Sequence, residues 1–312
     1  MRLSRAFLGI VAGVLLLVAA AWGLYHYADL ERLELDQSVR ASAPGGFIAL
    51  ADGFTHYELG GPARGRVVVL AAGFSVPYYI WDPSFTALVD AGFRVLRYDY
   101  YGRGYSDRPD IPFTQDLYVR QLMQLLDALH IDDSIDLVGI SFGGSVITSV
   151  AARHPDRVRS LIYFDPSFRT PYMLGFPERH PRLWNYTAAV LQERFWALNQ
   201  LGDFLHPERF PDWPSRYRVQ LQYKGFRRAR LSETVNNATV DQTAELKHVG
   251  QHSRPVLVIW GKEDRTVSFG ESVQLLKLMP RARLVAVESA AHLPQWEQPE
   301  AVHSNLIAFL RQ

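Results

Sequence analysis

A serine stands between two glycines in the segment at 139–143, which reads GISFG and lies between an apolar run and a helical pattern. This G-x-S-x-G spacing is typical of a sharp strand-to-helix turn, which exposes the serine hydroxyl and needs small neighbours because the turn is crowded. The amide of Phe142 then lies near the helix amino terminus, where it can donate to a developing oxyanion. The segment therefore predicts that Ser141 is a nucleophile.

A histidine and a carboxylate must accompany such a serine, because its hydroxyl is a poor nucleophile until a base takes the proton. With this type of turn, the expected order along the chain is serine, acid, histidine. Asp264 follows the apolar run at 255–260, and His292 follows the last apolar run. Of the ten histidines, His292 is the one at the position that this order requires. Ser141, Asp264 and His292 are therefore the predicted catalytic triad.

A second oxyanion donor is expected from the loop after the first buried strand. Gly73 permits a sharp exit from that strand, and the next residue is Phe74. The predicted oxyanion hole consists of the backbone amides of Phe74 and Phe142.

Two other groups of residues offer weaker alternatives. Asp165 follows the apolar run at 160–164 and is a second candidate for the acid, although a turn or helix cap before Pro166 is the simpler interpretation. His248 and His252 are four residues apart but lack the glutamate of a zinc-binding helix, so no metal site is predicted. No cofactor is predicted either.

The elements that must position these residues are short apolar runs alternating with helical patterns. Continuous hydrophobicity predicts strands buried on both faces, and hence a mostly parallel sheet flanked by helices. The predicted fold class is a doubly wound α/β domain over residues 46–312. Its predicted strands are 66–71, 93–98, 135–140, 160–164, 255–260 and 283–287.

The alternation stops between about residues 167 and 250, where prolines and aromatic residues are frequent. This segment is predicted to be a helical cap inserted over the strand ends. Apolar residues at helical spacing between Leu183 and Leu198 predict an amphipathic helix. Its apolar stripe is expected to pack into the core.

An uncharged run of 19 residues, Ala6–Leu24, stands near the amino terminus. As a helix it would be about 28 Å long at 1.5 Å per residue, close to the roughly 30 Å hydrocarbon thickness of a bilayer. Residues 1–24 are predicted to be a single-pass membrane anchor. Residues 25–45 are predicted to be a polar linker or a short juxtamembrane helix.

Charges flanking the run predict its orientation. Arg2 and Arg5 precede it and acidic residues follow it, which places the amino terminus in the cytoplasm and the catalytic domain on the extracytoplasmic side. A cleaved signal peptide, giving a secreted protein, is the alternative because residues 19–21 are all alanine and offer a small-x-small cleavage site.

Composition excludes several classes of protein. The 312 residues include Lys+Arg 33 and Asp+Glu 32, and this near-zero net charge gives no polycationic surface for nucleic acid. The chain has no cysteine, which excludes disulfides, thiolate zinc sites, iron–sulfur clusters and a cysteine nucleophile. The oligomeric state does not follow from these figures.

From about Phe47 to Gln312 the chain resembles the α/β-hydrolase superfamily, especially serine esterases, monoacylglycerol lipases and meta-cleavage-product hydrolases with a helical cap. Beyond the serine segment, residues 99–109 (DYYGRGYSDRP) are similar to the D-x-x-G-x-G-x-S segment of the family. The segments around Asp264 and His292, the latter followed by Glu297, stand in the family's order. One departure is Ala72, which occupies the place of the histidine in the family's usual His-Gly pair.

The resemblance implies hydrolysis of carboxylic esters through an acyl-enzyme. The anchor beside an aromatic-rich cap suggests a lipophilic small-molecule substrate in the membrane, such as a monoacylglycerol or a medium-chain ester. Serine rather than aspartate at 141 argues against haloalkane dehalogenase and epoxide hydrolase chemistry. The alternatives are a carbon–carbon bond hydrolase or acyltransferase with the same triad and, from another class, a catalytically inactive binding protein.

Overall fold

The computed structural model describes residues 5–169, 173–237 and 241–312, so that Arg2 of the predicted cytoplasmic end lies outside the described residues. The strands form one eight-stranded sheet in the order β1-β2-β4-β3-β5-β6-β7-β8. They are β1 (Gly46–Leu50), β2 (Gly53–Gly60), β3 (Val67–Ala71), β4 (Arg94–Tyr98), β5 (Ile135–Ile140), β6 (Val158–Phe164), β7 (Val256–Gly261) and β8 (Arg283–Val287).

The six predicted strands are the parallel part of this sheet, and the predicted α/β fold class is confirmed. Every residue of β3, β5 and β7 is buried, as expected for strands covered on both faces. The sequence analysis missed β1 and β2, which pair antiparallel at one edge. Their polar residues interrupt the continuous apolar pattern by which the other strands were recognised.

Two groups of helices cover the sheet. In the first group, α10 (Thr243–Gly250) packs on α5 (Phe142–Arg153) and α11 (Glu271–Leu278), and α4 (Gln115–Ala128) packs on α5. In the second group, α3 (Asp82–Asp90), α12 (Pro294–Glu297) and α13 (Pro299–Leu310) contact one another. The helices are α1 (Arg5–Ala28), α2 (Gln37–Ser42), α3 (Asp82–Asp90), α4 (Gln115–Ala128), α5 (Phe142–Arg153), α6 (Pro181–Thr187), α7 (Glu193–Asn199), α8 (Trp213–Leu221), α9 (Phe226–Asn237), α10 (Thr243–Gly250), α11 (Glu271–Leu278), α12 (Pro294–Glu297) and α13 (Pro299–Leu310).

The cap is built from α6 to α9, between β6 and α10. A π-helical turn at Ala188–Gln192 joins α6 to α7, and α7 packs on α8 while α6 packs on α9. The expectation that the apolar stripe of this region packs into the core is confirmed for Val190, which is buried, but it is wrong for Leu191, Phe195 and Leu198, which are exposed. The buried face also includes Trp184, Ala188, Trp196 and Ala197.

Helix α1 is long and apolar enough to cross a membrane. The span Phe7–Ala28 has 22 residues with a mean hydropathy of 2.4. Its most apolar part is not buried against the rest of the described structure. The segment that follows α1 packs on the cap: the amide of Leu33 donates to the carbonyl of Gln222 (2.8 Å), and the amide of Lys224 donates to the carbonyl of Leu33 (2.9 Å). Residues 29–33 therefore make defined contacts with the folded domain.

Candidate active site

Ser141 lies at the turn between β5 and α5, with φ 53° and ψ −119°. A left-handed φ at a non-glycine residue costs on the order of 1–3 kcal/mol and persists only where the surroundings enforce it. The main chain of Ser141 is held on both sides, since its amide donates to Phe164 (2.9 Å) and its carbonyl accepts from Gly144 (2.9 Å) and Ser167 (3.0 Å). The turn thus holds the serine in a strained conformation.

Close backbone contacts explain the two glycines that flank this turn. A Cβ atom at position 139 would meet the carbonyl oxygen of Gly143, and one at position 143 would meet the carbonyl oxygens of Ala71 and Ala72. Side chains at either position would push β3, the turn and α5 apart. The G-x-S-x-G pattern is thus a packing requirement of this crossing.

The structure brings Asp264 and His292 together at the ends of β7 and β8. Nδ1 of His292 lies 2.8 Å from Oδ2 of Asp264, and both residues are buried. The other carboxylate oxygen of Asp264 accepts from the amides of Thr266 (2.7 Å) and Val267 (3.0 Å), which fixes its orientation. Nδ1 therefore donates to the carboxylate, and Nε2 keeps the lone pair that a general base needs.

Asp165, the alternative acid, is also buried beside this pair. Its Oδ1 accepts from the amide of Gly261 (2.9 Å), and its backbone is strained with φ 42°. Burial, together with the nearby charge of Asp264, raises the pKa of Asp165 well above its usual range. Asp165, Asp264 and His292 offer ligand atoms within 4.8 Å of one another. A raised pKa favours the neutral acid at Asp165, and a neutral carboxyl group is a poor metal ligand, so this cluster is not assigned as a metal site.

A cavity of about 370 Å³ opens at Ser141. The core domain contributes Ser141, Phe74 and Phe142 to its walls, and the cap contributes Trp184, Trp196 and Arg230. The rings of Phe74 and Phe142 meet edge to face at 6.1 Å. A volume of this size lies in the range of small-molecule sites, which begins at about 300 Å³.

The loop that carries Phe74 passes directly against Ser141, since a Cβ atom at Gly73 would lie 3.7 Å from that of Ser141. Nε of Arg103 donates to the Phe74 carbonyl (2.9 Å), and Arg103 is paired with Glu233 of the cap. Both charged side chains are buried. A buried arginine from the segment at 99–109 thus holds the loop that contains Ala72 and Phe74.

Two polar cap residues at the site were not singled out from the sequence. The carbonyl of Asp203 accepts from the His292 amide (3.0 Å), and its carboxylate accepts from Thr266 (2.7 Å). The Arg230 guanidinium lies over the rings of Trp196 (4.6 Å) and Phe74 (5.4 Å), and one of its terminal nitrogens is buried without a hydrogen-bond partner among the described residues. Neither belongs to a spaced motif, and only the fold brings them to the site.

An eight-stranded, mostly parallel sheet with a serine on a strained strand-to-helix turn is the architecture of the α/β hydrolases. Residues 68–304 match the profile of the Alpha/beta hydrolase family. The chain belongs to this family, as the resemblance implied, and it is a hydrolase.

Its relatives cover several activities. The chain is 30% identical to a 2-hydroxymuconate semialdehyde hydrolase from Pseudomonas putida, over 66% of this chain and 73% of that one. It is 24% identical to Lipase 1 from Psychrobacter immobilis, over 70% of this chain and 69% of that one. Among solved structures, an enol-lactonase from Burkholderia xenovorans LB400 superposes with a TM-score of 0.72 at 25% identity, covering 86% of this chain and 100% of that one.

Proposed function

We propose that this hydrolase is a membrane-anchored serine esterase that cleaves carboxylic esters through an acyl-enzyme. The observation that carries the proposal is the strained Ser141 in the wall of a cavity that the cap covers. Asp264, in a neighbouring loop, orients the imidazole of His292 through Nδ1. The lone pair of Nε2 can then accept a proton as a general base. These three residues are the proposed catalytic triad.

The proposed reaction has two acyl-transfer steps. In the first, Oγ of Ser141 attacks the ester carbonyl while His292 takes the serine proton, and the amides of Phe74 and Phe142 stabilise the oxyanion. His292 then gives the proton to the leaving alcohol, which departs and leaves an acyl group on Ser141. In the second step His292 activates a water molecule, which releases the acid and restores the serine.

Lipophilic substrates are the proposed class. Aromatic rings of Phe74, Phe142, Trp184 and Trp196 line the cavity, and such walls favour an apolar acyl chain. Helix α1 supplies a membrane anchor that would place the enzyme beside lipids with an ester bond, with the catalytic domain on the extracytoplasmic side. Release of the domain by signal-peptide cleavage is the alternative.

Arg230 favours a second candidate, hydrolysis of a carbon–carbon bond in an acidic substrate. Its unpaired guanidinium nitrogen, buried among aromatic rings at the cavity, would bind a carboxylate. The substrate named for the relative from Pseudomonas putida, 2-hydroxymuconate semialdehyde, contains such a carboxylate.

Substrate preference separates the two candidates. We expect a fluorophosphonate probe to label the wild-type protein, and p-nitrophenyl esters to be cleaved faster as the acyl chain lengthens from acetate to medium chains. Ester cleavage is measured by release of p-nitrophenol. Cleavage of 2-hydroxymuconate semialdehyde is measured separately under the same conditions. Faster cleavage of the semialdehyde than of any ester would favour the second candidate, and a protein that never labels would contradict both.

The activity is also expected to depend on pH through His292. Burial lowers the pKa of His292, but the hydrogen bond that its Nδ1 donates to Asp264 and the charges of Asp264 and Asp203 outweigh this and raise the pKa above 6.5. Because only neutral His292 can accept the serine proton, kcat/KM should fall as the pH decreases through this raised pKa.

In Asp264→Asn the carboxylate is lost and burial remains, so the acid limb of the residual activity should move to lower pH. Glu263→Gln is the matched control, since the carboxylate of Glu263 accepts from the Ala290 amide (3.1 Å) and does not contact His292. Profiles of kcat/KM between roughly pH 5 and 9 locate the acid limb in the wild type and in each variant. An acid limb that is identical in Asp264→Asn and the wild type would contradict the role of Asp264.

A further inference from the structure

Three large apolar side chains form an exposed row on the outside of the cap. Leu191, Phe195 and Leu198 are 58%, 45% and 47% exposed and lie four and three residues apart, on one side of the helical segment. The opposite side of the segment is buried through Trp196 and Ala197. A contiguous exposed apolar face rimmed by polar residues marks an interaction surface. We refer to these three residues as the cap row.

The cap row begins in the segment that touches α1. The π-helical turn at Ala188–Gln192 contacts α1, and the ring of Tyr25 stacks on Tyr186 at 6.1 Å. Nδ2 of Asn185 also donates to the Tyr25 hydroxyl (2.8 Å). Ala21 and Tyr25 are accordingly half-buried within a helix that is otherwise largely exposed. The cap therefore meets the anchor near its carboxyl-terminal turns, where an apolar helix would leave the bilayer.

Buried ion pairs fix this position of the cap. Arg227 is almost fully buried and donates to Asp29 (2.7 Å) after α1 and to Glu193 (2.6 Å) at the start of α7. Glu31 accepts from the backbone amides of Gly225 (2.8 Å) and Arg227 (2.5 Å). We call Tyr25, Asp29, Glu31 and their cap partner Arg227 the anchor–cap clamp. Through Arg227 the clamp links the end of α1 to Glu193 of α7, the helix that carries Phe195 and Leu198 of the cap row.

Charge beside the cap row identifies its partner. Arg194 is exposed between Leu191 and Phe195, with its guanidinium 4.8 Å from the centre of the Phe195 ring. A cation next to an inserted ring suits the headgroup region, where arginine binds lipid phosphates while the apolar group enters the acyl chains. Trp22 and Tyr27 of α1 are exposed aromatic residues of the kind enriched at the same depth.

We propose that the cap row is a second membrane-binding surface, which inserts into the lipid bilayer beside α1. This proposal rests on the membrane anchor of the proposed function. Trp196 and Gln192, which line the cavity at Ser141, lie in the same helical segment as the cap row. Insertion of the row would therefore place the cap side of the cavity at the lipid surface, within short reach of a membrane-dissolved ester.

The absence of cysteine allows a direct test with the full-length chain, because one introduced cysteine is the only labelling site. The variants Leu198→Cys, Leu16→Cys and Val273→Cys each carry an environment-sensitive fluorophore and are reconstituted into phosphatidylcholine and phosphatidylglycerol vesicles. Leu16 reports on α1, and Val273, 54% exposed on α11, is the matched control outside the cap. The measurement is the loss of fluorescence when part of the lipid carries a quenching spin label.

We expect quenching by about half or more at Leu198 and Leu16, and almost none at Val273, since the quencher acts only within the bilayer. Quenching at Leu16 without quenching at Leu198 would overturn the cap proposal and leave the anchor in place. The Leu198 probe could also report an apolar environment both in detergent and in vesicles, without quenching by the spin-labelled lipid. That result would assign the cap row to a contact with a second copy of the chain and would also overturn the proposal. Quenching at neither position would overturn the anchor and the cap proposal together. Ester hydrolysis in detergent is independent of all four outcomes.

Discussion

Replacing Ser141 with alanine is expected to lower kcat/KM for ester hydrolysis by roughly 10⁵- to 10⁶-fold, since loss of the proposed nucleophile would remove the proposed acyl-enzyme route. The residual rate would come from binding and from the proposed oxyanion donors, the amides of Phe74 and Phe142. His292→Ala should cause a loss of similar size. The double variant should be little worse than either single one, because the two residues act as a unit.

Ser145 provides the matched control for this prediction. It lines the same cavity one helical turn further along α5, and its hydroxyl donates to the carbonyl of Ser167 (2.5 Å). Ser145→Ala removes a hydrogen bond worth about 1 kcal/mol and no nucleophile, so less than about a tenfold loss of kcat/KM is expected. Initial rates with a medium-chain p-nitrophenyl ester measure each variant. Full activity in Ser141→Ala, or loss of fluorophosphonate labelling in Ser145→Ala, would contradict the assignment of the nucleophile.

Replacing Arg227 with methionine is expected to lower the free energy of unfolding by about 3 kcal/mol, at the lower end of the 3–5 kcal/mol typical for breaking a buried ion pair. The loss arises because Asp29, Glu31 and Glu193 lose the cation that they share. Burial raises the pKa of Glu193 to about 7 even against Arg227, so Glu193 becomes neutral once Arg227 is removed. Asp29 is partly exposed and can rehydrate, which further limits the loss.

Arg228→Met is the control, since Arg228 is adjacent in α9 but 41% exposed, pairs with an exposed Asp110 and otherwise donates only to the carbonyls of Arg108 (2.7 Å) and Pro109 (2.8 Å) among the described residues. A smaller loss of about 1 kcal/mol is expected there, since a surface ion pair contributes little and water can replace the hydrogen bonds of an exposed arginine. Urea unfolding of the full-length protein in detergent, followed by tryptophan fluorescence, compares the two variants. Equal stability of the two variants would show that the clamp does not hold the cap.

The sequence was sufficient to predict the parts of this protein in which local constraints determine the residue types. The glycines at 139 and 143 leave no space for side chains, so the position of Ser141 can be identified from five residues. The parallel strands are buried on both faces, so their continuous apolar runs are recognisable. In β2, residues such as His56 and Glu58 interrupt this pattern, and the antiparallel edge could not be predicted in the same way.

Contacts between distant parts of the chain could not be predicted. Arg227 meets Asp29 across almost 200 positions, and nothing in the sequence distinguishes it from the neighbouring Arg228. Arg230 and Asp203 reach the cavity and His292 only because the cap folds over the strand ends. The exposed cap row was assigned to the core for a related reason: periodicity identifies an apolar face but does not identify the surface that the face contacts.

The anchor–cap clamp also bears on processing of the chain. Its first member, Tyr25, follows the three alanines at 19–21 at which a signal peptidase would cut. Cleavage there would remove most of the apolar part of α1 and leave Tyr25, Asp29 and Glu31 attached to the domain. A secreted form would therefore retain the contacts that hold the cap, and the membrane-bound and released enzymes would share one substrate cavity while differing in where they meet their substrate.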